Sequence, residues 1–296
     1  MNVISEVLAT KCRQNFFENY KKYKTMTRKI VIIAVFLCAV TSVNAQKQLD
    51  TSYMECSYRL TVMIDTVAKR TRVADPDMRL LIGEKYSKYY SHTIFLSDSA
   101  RAATPSTGQV ISLPNFGTLS VEIYEIYKNH IENTITTTEL ILVATGSYVL
   151  CNEPLQKQDW KILDETKEIA GYKCQKATCS FRGRDYVAWF TREVPVNTAP
   201  HKFSGLPGLV VKIHDTKRHY DFELYSVEKV KKPIIFSPFQ KLKNIKYHEV
   251  SIKDYIRMLR NYHANPFAMA TDMVATNADG TPFTLKSLFD AMELEP

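Results

Sequence analysis

Apolar side chains recur at every second position in several segments, and this spacing constrains the fold more than any other feature of the chain. The clearest segment lies at residues 54–64, where apolar and polar residues alternate in the run MECSYRLTVMI. Successive side chains of a β-strand point to opposite faces, so the alternation predicts a strand with one buried face. The same spacing predicts strands at residues 86–96, 119–128, 135–143, 148–151 and 219–225.

A hairpin is predicted within residues 172–191. Two β-rich runs are separated there by Arg182-Gly183-Arg184-Asp185, which is typical of a short loop that contains glycine. About ten strands joined by short turns are expected over the whole chain, and such a succession forms an antiparallel assembly. The predicted fold class is therefore mainly β (α+β), with one large antiparallel sheet or an open half-barrel.

Helical periodicity is confined to the C-terminal part of the sequence. Ser251 can cap a helix whose third position is Asp254, and Asn265-Pro266 would end it. The apolar residues of this segment share one helical face: Ile252, Tyr255, Ile256, Leu259 and Tyr262. A second short helix is predicted at residues 285–292, and both helices are expected to cover one face or edge of the sheet.

A tight turn is predicted at residues 206–209, which we call the corner. Pro207 fixes φ near −65°, and Gly208 after it can adopt the positive φ of a type II turn. Leu206 and Leu209 flank this turn, although polar residues are usual beside turns. The two leucines therefore predict either a buried structural corner or an apolar lip that binds a partner.

Aromatic residues cluster in the sequence around the corner, and they allow the same two interpretations. They can form the core, or they can line a groove for a lipid, a sugar or a peptide. The candidate residues for this binding or structural role are Trp189, Phe190, Phe203, Gly205, Leu206, Pro207, Gly208 and Leu209.

Several peptides in this part of the chain occur in a fixed order. They are FSGLPGLV at residues 203–210, AWFTREVP at 188–195, DWKI at 159–162, ETKEIAGYKCQKAT at 165–178 and YHANPF at 262–267. In this order they resemble the GLPGLI family of secreted proteins from Gram-negative bacteria. Val210 stands where the family peptide has isoleucine, and Ala199-Pro200 where Gly-Pro is commoner. The resemblance implies export and a β-rich fold, and it implies no established biochemical activity.

The N-terminal residues predict a leader for export. Thr27-Arg28-Lys29 is followed by an apolar run at residues 30–40 and by Val43-Asn44-Ala45, which fits a cleavage site. We therefore expect a non-translated or dispensable extension at residues 1–25, with translation starting at Met26, a signal peptide at 26–45 and one GLPGLI-type domain at 46–296. The mature chain would lie in the periplasm, at the outer envelope or outside the cell, with no transmembrane span.

The basic net charge of the chain does not indicate nucleic-acid binding. The formal net charge is +8, but residues 1–45 hold seven Lys or Arg and two Glu, which is 7 − 2 = +5 of that total. The predicted mature chain retains only +3, so no nucleic-acid partner is expected.

The sequence contains no motif that assigns a catalytic, metal-binding or cofactor-binding residue. No CxxC, HExxH, GxSxG or phosphate-binding glycine loop is present. His214 and His219 flank a short turn and could approach each other to bind a metal, with His201 and Asp215 as partners. Histidines beside a turn are usually solvated, and Lys217 and Arg218 would repel a cation, so we expect both to be solvated. The carboxylates at Glu153, Asp159, Asp164 and Glu165 are likewise expected to be solvated. Four cysteines follow the leader and are either disulfide-bonded or buried as free thiols: Cys56, Cys151, Cys174 and Cys179.

Three functional hypotheses follow from these observations. The first is a non-catalytic exported envelope protein that binds an apolar ligand or a protein partner through residues 189–209. The second is a secreted hydrolase that uses dispersed acidic or histidine residues. The third is a periplasmic carrier of acyl chains or lipoproteins, in which a curved sheet holds a lipid-like ligand.

Overall fold

The structure is a computed structural model, and it describes residues 47–65, 70–103, 124–142, 147–236, 246–264 and 292. The strands are β1 (Lys47–Asp65), β2 (Arg70–Gly83), β3 (Tyr86–Ser91), β4 (Tyr124–Asn129), β5 (Thr134–Leu142), β6 (Ser147–Pro154), β7 (Lys161–Ile169), β8 (Tyr172–Phe181), β9 (Arg184–Thr191), β10 (Leu209–Asp215), β11 (Tyr220–Phe236) and β12 (Lys246–Val250). The helices are α1 (His92–Ala103) and α2 (Ile252–Ala264). Neither of these two helices combines the length and the apolar character that crossing a bilayer requires.

All twelve strands belong to one open sheet, in the order β12-β6-β5-β4-β3-β2-β1-β11-β10-β9-β8-β7. Every neighbouring pair is antiparallel except β12 and β6, which are parallel. This large, mainly antiparallel sheet confirms the predicted fold class. The predicted hairpin is confirmed as β8 and β9, joined by Arg182 and Gly183 with φ values of 52° and 74°. Two consecutive positive φ angles form the type I′ turn that matches the twist of a hairpin.

The sheet is strongly curled. Glu153 on β6 forms an ion pair with Arg182 in the β8–β9 turn, although eight strand positions separate these elements in the sheet. Neighbouring strands lie about 4.8 Å apart, so the two residues would be about 38 Å apart in a flat sheet. The ion pair therefore requires that the sheet curve round on itself. We call the concave side its inner face.

The main core lies on the inner face. Its central strands contribute the alternate residues Cys56, Tyr58, Leu60 and Val62 of β1, all at most 1% exposed. The alternation predicted for β1 is confirmed, but its second face is not simply solvated. Glu55 is 2% exposed and binds the side chains of Arg79 and Lys232, so β1 is largely buried on both faces.

Helix α1 corrects two predictions. The strand predicted at residues 86–96 ends at Ser91, and the chain continues as a helix from His92. The Ser91 hydroxyl accepts a hydrogen bond from the backbone N–H of Ile94 at 3.1 Å, which is the geometry of a helix N-cap. Helical structure is therefore not confined to the C-terminal part of the chain.

The predicted C-terminal helix is confirmed as α2. The Ser251 hydroxyl accepts the backbone N–H of Asp254 at 3.1 Å, and Tyr255, Ile256 and Leu259 are buried against β6. The predicted leader and most of the predicted helix at 285–292 lie outside the described residues. The four cysteines after the leader are free thiols, and all four are buried.

Candidate functional site

The corner is part of the core. Leu206 and Leu209 are 2% and 0% exposed and pack in the main apolar cluster. Gly208 is required there by close approach: a Cβ atom at this position would lie 2.0 Å from the carbonyl oxygen of Thr191. Its φ of 158° is one that residues with a Cβ rarely adopt, and it differs from the angle of about 80° expected for a type II turn. The glycine thus allows two backbone segments to touch.

Most of the other candidate residues are also buried. Phe190 and Phe203 are fully buried and Trp189 is 5% exposed. The Phe203 ring packs edge-on against Tyr186 with a centroid distance of 4.7 Å, so it fills the inner face of β9. Gly205 is exposed with a φ of 94°, which favours glycine. Pro207 is exposed as well, and it lines the cleft described next.

A cleft of about 560 Å³ lies beside the corner. Three separate parts of the chain meet around it: the start of β1, the turn between β2 and β3 together with the end of β4, and the loop from β9 to β10. Its lining residues are Tyr53, Ile82, Gly83, Glu84, His130, Pro195, Val196, Asn197, Thr198 and Pro207. This size is typical of a site for a small ligand.

The β2–β3 turn forms one wall of the cleft and is fixed by Asp50. One carboxylate oxygen of Asp50 accepts the backbone N–H groups of Lys85 and Tyr86 at 2.6 and 3.0 Å. Partial burial of Asp50 would by itself raise the pKa of its carboxyl, but these backbone donors outweigh it and lower the pKa. The turn that carries Gly83 and Glu84 is therefore held in one position.

The β9–β10 loop forms the opposite wall and is fixed by Lys128. This side chain is fully buried, and its ammonium donates to the backbone oxygens of Ala199 and Phe203 at 2.7 and 2.6 Å. It also lies 3.4 Å from the hydroxyl of Thr198, which lines the cleft. Burial lowers the pKa of Lys128 well below its usual value. Lys128 of β4 thus fixes the backbone of the loop through hydrogen bonds on the side away from the cleft.

Hydrogen bonds connect this wall to the floor of the cleft. The Thr198 hydroxyl lies 3.2 Å from that of Ser87, which in turn lies 3.1 Å from Nε2 of His130. Burial lowers the pKa of His130 to about 4, and the positive charge of Lys128 acts in the same direction. The His130 imidazole is therefore neutral at neutral pH.

Tyr53 and Glu84 lie on the open side of the cleft. Tyr53 is 46% exposed and presents an aromatic ring, while Glu84 presents a carboxylate. The pKa of the Tyr53 phenol is raised by burial, then by Cys56 and by the negative charge of Glu84. Both side chains line the cleft. The cleft combines an aromatic surface, apolar walls and several polar groups.

A second polar cluster lies inside the fold and is structural. Glu153 is 5% exposed and binds both Arg182 and the Nζ of Lys202, the latter at 2.7 Å. The ammonium of Lys202 lies 4.7 Å from the ring centroid of Tyr255, whose hydroxyl donates to Glu139 at 2.6 Å. The expectation that Glu153 is solvated is wrong, because its position on the inner face of β6 makes it the counter-ion of two buried cations.

The two histidines near the β10–β11 turn are also buried. The Nδ1 of His219 lies 3.1 Å from a guanidinium nitrogen of Arg184, and the Nδ1 of His214 lies 2.9 Å from the backbone oxygen of Asp215. The expectation that both are solvated is therefore wrong, since the hairpin turns back against β9. Within the part of the chain that is described, no group of three or more His, Cys, Asp or Glu is arranged to hold a metal ion.

Residues on one side of the cleft were predicted from the sequence, and residues on the other side were not. The candidate set contained Pro207, and the same β9–β10 loop also supplies Pro195 and Asn197 to the lining. Tyr53, Glu84 and His130 come from distant strands and carry no local motif. Only the pairing of β1 with β2 and of β3 with β4 brings them together.

Comparison with known proteins gives a partial family match. The model described as "N-glycanase peptide, N-terminal domain" matches residues 117–254, slightly less than half of the chain. Two crystal structures of PNGF-II, in space groups P21 and C2, are similar with TM-scores of 0.47 and 0.46 and 16% identity. The matches cover 71% of this chain but only 33% and 32% of those chains, so it spans about a third of their length. No curated protein matches the sequence.

Proposed function

We propose that this chain is an exported, non-catalytic protein of the GLPGLI type that binds a carbohydrate in the cleft. The observation that supports it best is the meeting of an exposed aromatic ring, apolar walls and convergent polar groups in one cleft of ligand size. The partial match to a family named for an N-glycanase favours a glycan over other ligands with both polar and apolar surfaces.

The chemistry of the cleft suits a sugar ring. A pyranose has an apolar face of C–H groups and a rim of hydroxyls. The Tyr53 ring offers a flat apolar surface of the matching kind, and its hydroxyl can bond at the edge. Asn197 supplies both donors and an acceptor, and Glu84 supplies acceptors, which is the combination that hydroxyl groups need.

Binding by the buried leucines of the corner is disfavoured. Leu206 and Leu209 would have to leave the core to reach a protein partner. We expect Leu206→Asp to unfold the protein, because a buried carboxylate without a partner is strongly unfavourable. An acyl chain on the inner face would likewise have to displace Phe203, which already packs against β9.

A secreted hydrolase is the second candidate. One observation favours it: the cleft holds a carboxylate at Glu84 and an imidazole at His130, and both residue types serve in general acid–base catalysis. Incubating the protein with each glycan that it binds, followed by mass spectrometry of the glycan, separates the two candidates. A cleaved product would favour the hydrolase, and an intact glycan the binding protein.

A glycan array tests the proposal. The wild type is expected to bind a defined subset of glycans, and Tyr53→Ala is expected to lose about tenfold or more in affinity, because the stacking surface is removed. Tyr225→Ala is the matched control, since Tyr225 is 49% exposed and does not line the cleft. Absence of binding to any glycan, or equal losses in both variants, would contradict a carbohydrate site in this cleft.

Export is tested separately by fractionation. We expect the chain in the periplasmic, envelope or extracellular fraction, and we expect the mature protein to begin at Gln46. Edman sequencing or intact mass measurement of the purified protein identifies this N-terminus. A cytoplasmic protein that starts at Met26 would contradict export.

A further inference from the structure

The residues that line the cleft carry more negative than positive charge. Glu84 supplies the one carboxylate among the ten lining residues, and these ten include neither lysine nor arginine. The other titratable base, His130, is held neutral by its burial. The described lining therefore carries a net charge of −1 at neutral pH.

The position of Glu84 is well defined. It lies on the turn that Asp50 fixes through the backbone N–H groups of Lys85 and Tyr86. Its negative charge acts on the Tyr53 phenol, so the carboxylate and the aromatic surface belong to the same binding volume. A sugar stacked on Tyr53 would therefore occupy the volume that Glu84 also borders.

Two lysines beside the walls of the cleft, Lys85 and Lys128, interact with other groups. Lys85 follows Glu84 in the sequence, and its positive charge acts on Asp50. Lys128 lies behind the opposite wall, and its ammonium donates to backbone oxygens of the loop. Neither residue lines the cleft, so neither provides an acidic ligand with a direct counter-ion.

We propose that the cleft accepts uncharged sugars and rejects acidic ones, and that Glu84 determines this specificity. The inference rests on the proposed carbohydrate binding and adds the chemical class of the ligand. A neutral hydroxyl can donate a hydrogen bond to Glu84, whereas a uronic carboxylate would face a like charge. Two unit charges about 5 Å apart near a wet surface repel enough to change affinity roughly fivefold.

Two small disaccharides test this proposal with the full chain. Glc-β1,3-GlcNAc and GlcA-β1,3-GlcNAc share one sugar and differ in the second only at C6, which carries a hydroxymethyl group in one and a carboxylate in the other. Both are small enough for a volume of about 560 Å³. Isothermal titration calorimetry or chemical-shift titration at pH 7 measures their dissociation constants with the wild type, Glu84→Gln and Glu165→Gln. Glu165 is an exposed carboxylate on β7 that does not line the cleft, so it controls for net charge.

The wild type and Glu165→Gln are expected to bind the neutral disaccharide roughly fivefold or more tightly than the acidic one. Glu84→Gln is expected to bring this ratio close to one by strengthening binding of the acidic disaccharide. Equal affinities in the wild type, or a ratio that Glu84→Gln leaves unchanged, would overturn the inference while leaving carbohydrate binding intact. Glycan binding on the array with neither disaccharide bound would also overturn it, and no glycan binding at all would overturn both proposals.

Discussion

Glu153 offers the sharpest test of how this sheet is held in its curled form. Its carboxylate has 2% side-chain exposure and faces two cations, Arg182 with 5% and Lys202 with 0%. Glu153→Gln keeps the size of the side chain and removes the charge. Two buried cations would then lack their counter-ion, in a region where desolvation already disfavours charge.

The expected loss of stability is about 3–5 kcal/mol, the range found when one partner of a buried ion pair is removed. For a domain of this size that loss corresponds to a decrease in Tm of about 10 °C. Urea unfolding followed by circular dichroism measures the free energy, and calorimetry measures Tm. Glu165→Gln is the control, because Glu165 is 56% exposed and pairs with Lys176 in contact with water. That variant is expected to lose less than about 1 kcal/mol.

A triple variant separates charge from packing. Glu153→Met, Arg182→Met and Lys202→Met together remove the whole cluster and leave no unpaired charge, so the triple variant should be more stable than Glu153→Gln alone. A loss below about 1 kcal/mol for Glu153→Gln would mean that the cluster is hydrated or rearranges freely. The reasoning about the curled sheet would then be refuted.

Three further predictions concern the corner, a helix cap and pH. Gly208→Ala should lower the free energy of unfolding by about 3 kcal/mol or more, because the new Cβ meets backbone atoms of Thr191 at 2.0 and 2.7 Å. Gly171 has a φ of 78° but open space where a Cβ would lie, so Gly171→Ala should cost only about 1 kcal/mol. Chemical denaturation measures both losses. Ser251→Ala should cost about 1 kcal/mol in the same assay, whereas Ser251→Asp should retain the cap. Burial lowers the pKa values of His130 and His201, to about 4 for His130. As the pH falls, these histidines therefore bind protons in the unfolded chain before they do so in the folded protein. The free energy of unfolding should then decrease as the pH drops from about 6.5 towards 4. The slope should approach about 1.4 kcal/mol per pH unit for each histidine, and His130→Asn should remove its share; a flat profile between pH 7 and pH 5 would contradict both assignments.

Local patterns in the sequence predicted the elements that depend on local physics. Alternation identified β1, the Arg182-Gly183 turn identified the β8–β9 hairpin, and the Ser251 cap identified α2. Each of these depends on side-chain direction, backbone freedom or a nearby donor, and residues close in sequence carry that information.

Contacts between distant residues account for what the sequence did not predict. The alternation at residues 86–91 continues into α1, and only the cap at Ser91 marks the change. Strand β7 has a charged, mostly exposed pattern that lacks a two-residue period, because it lies at the sheet edge. The burial of Glu153 depends on Arg182 and Lys202, which reach it only after the sheet has curled. The cleft likewise requires the correct pairing of four strands.

The order of the strands has a consequence for how the chain acquires its structure. Strand β1 pairs on one side with β2, which is close in sequence, and on the other side with β11, whose residues lie roughly 160 to 190 positions later. One edge of β1 therefore stays unpaired until β11 is available. Pairing of β1 with β11 closes a long loop, and the entropy lost in closing it slows this step. A fragment that stops before Tyr220 would leave the backbone donors and acceptors of β1 free to recruit a neighbouring molecule.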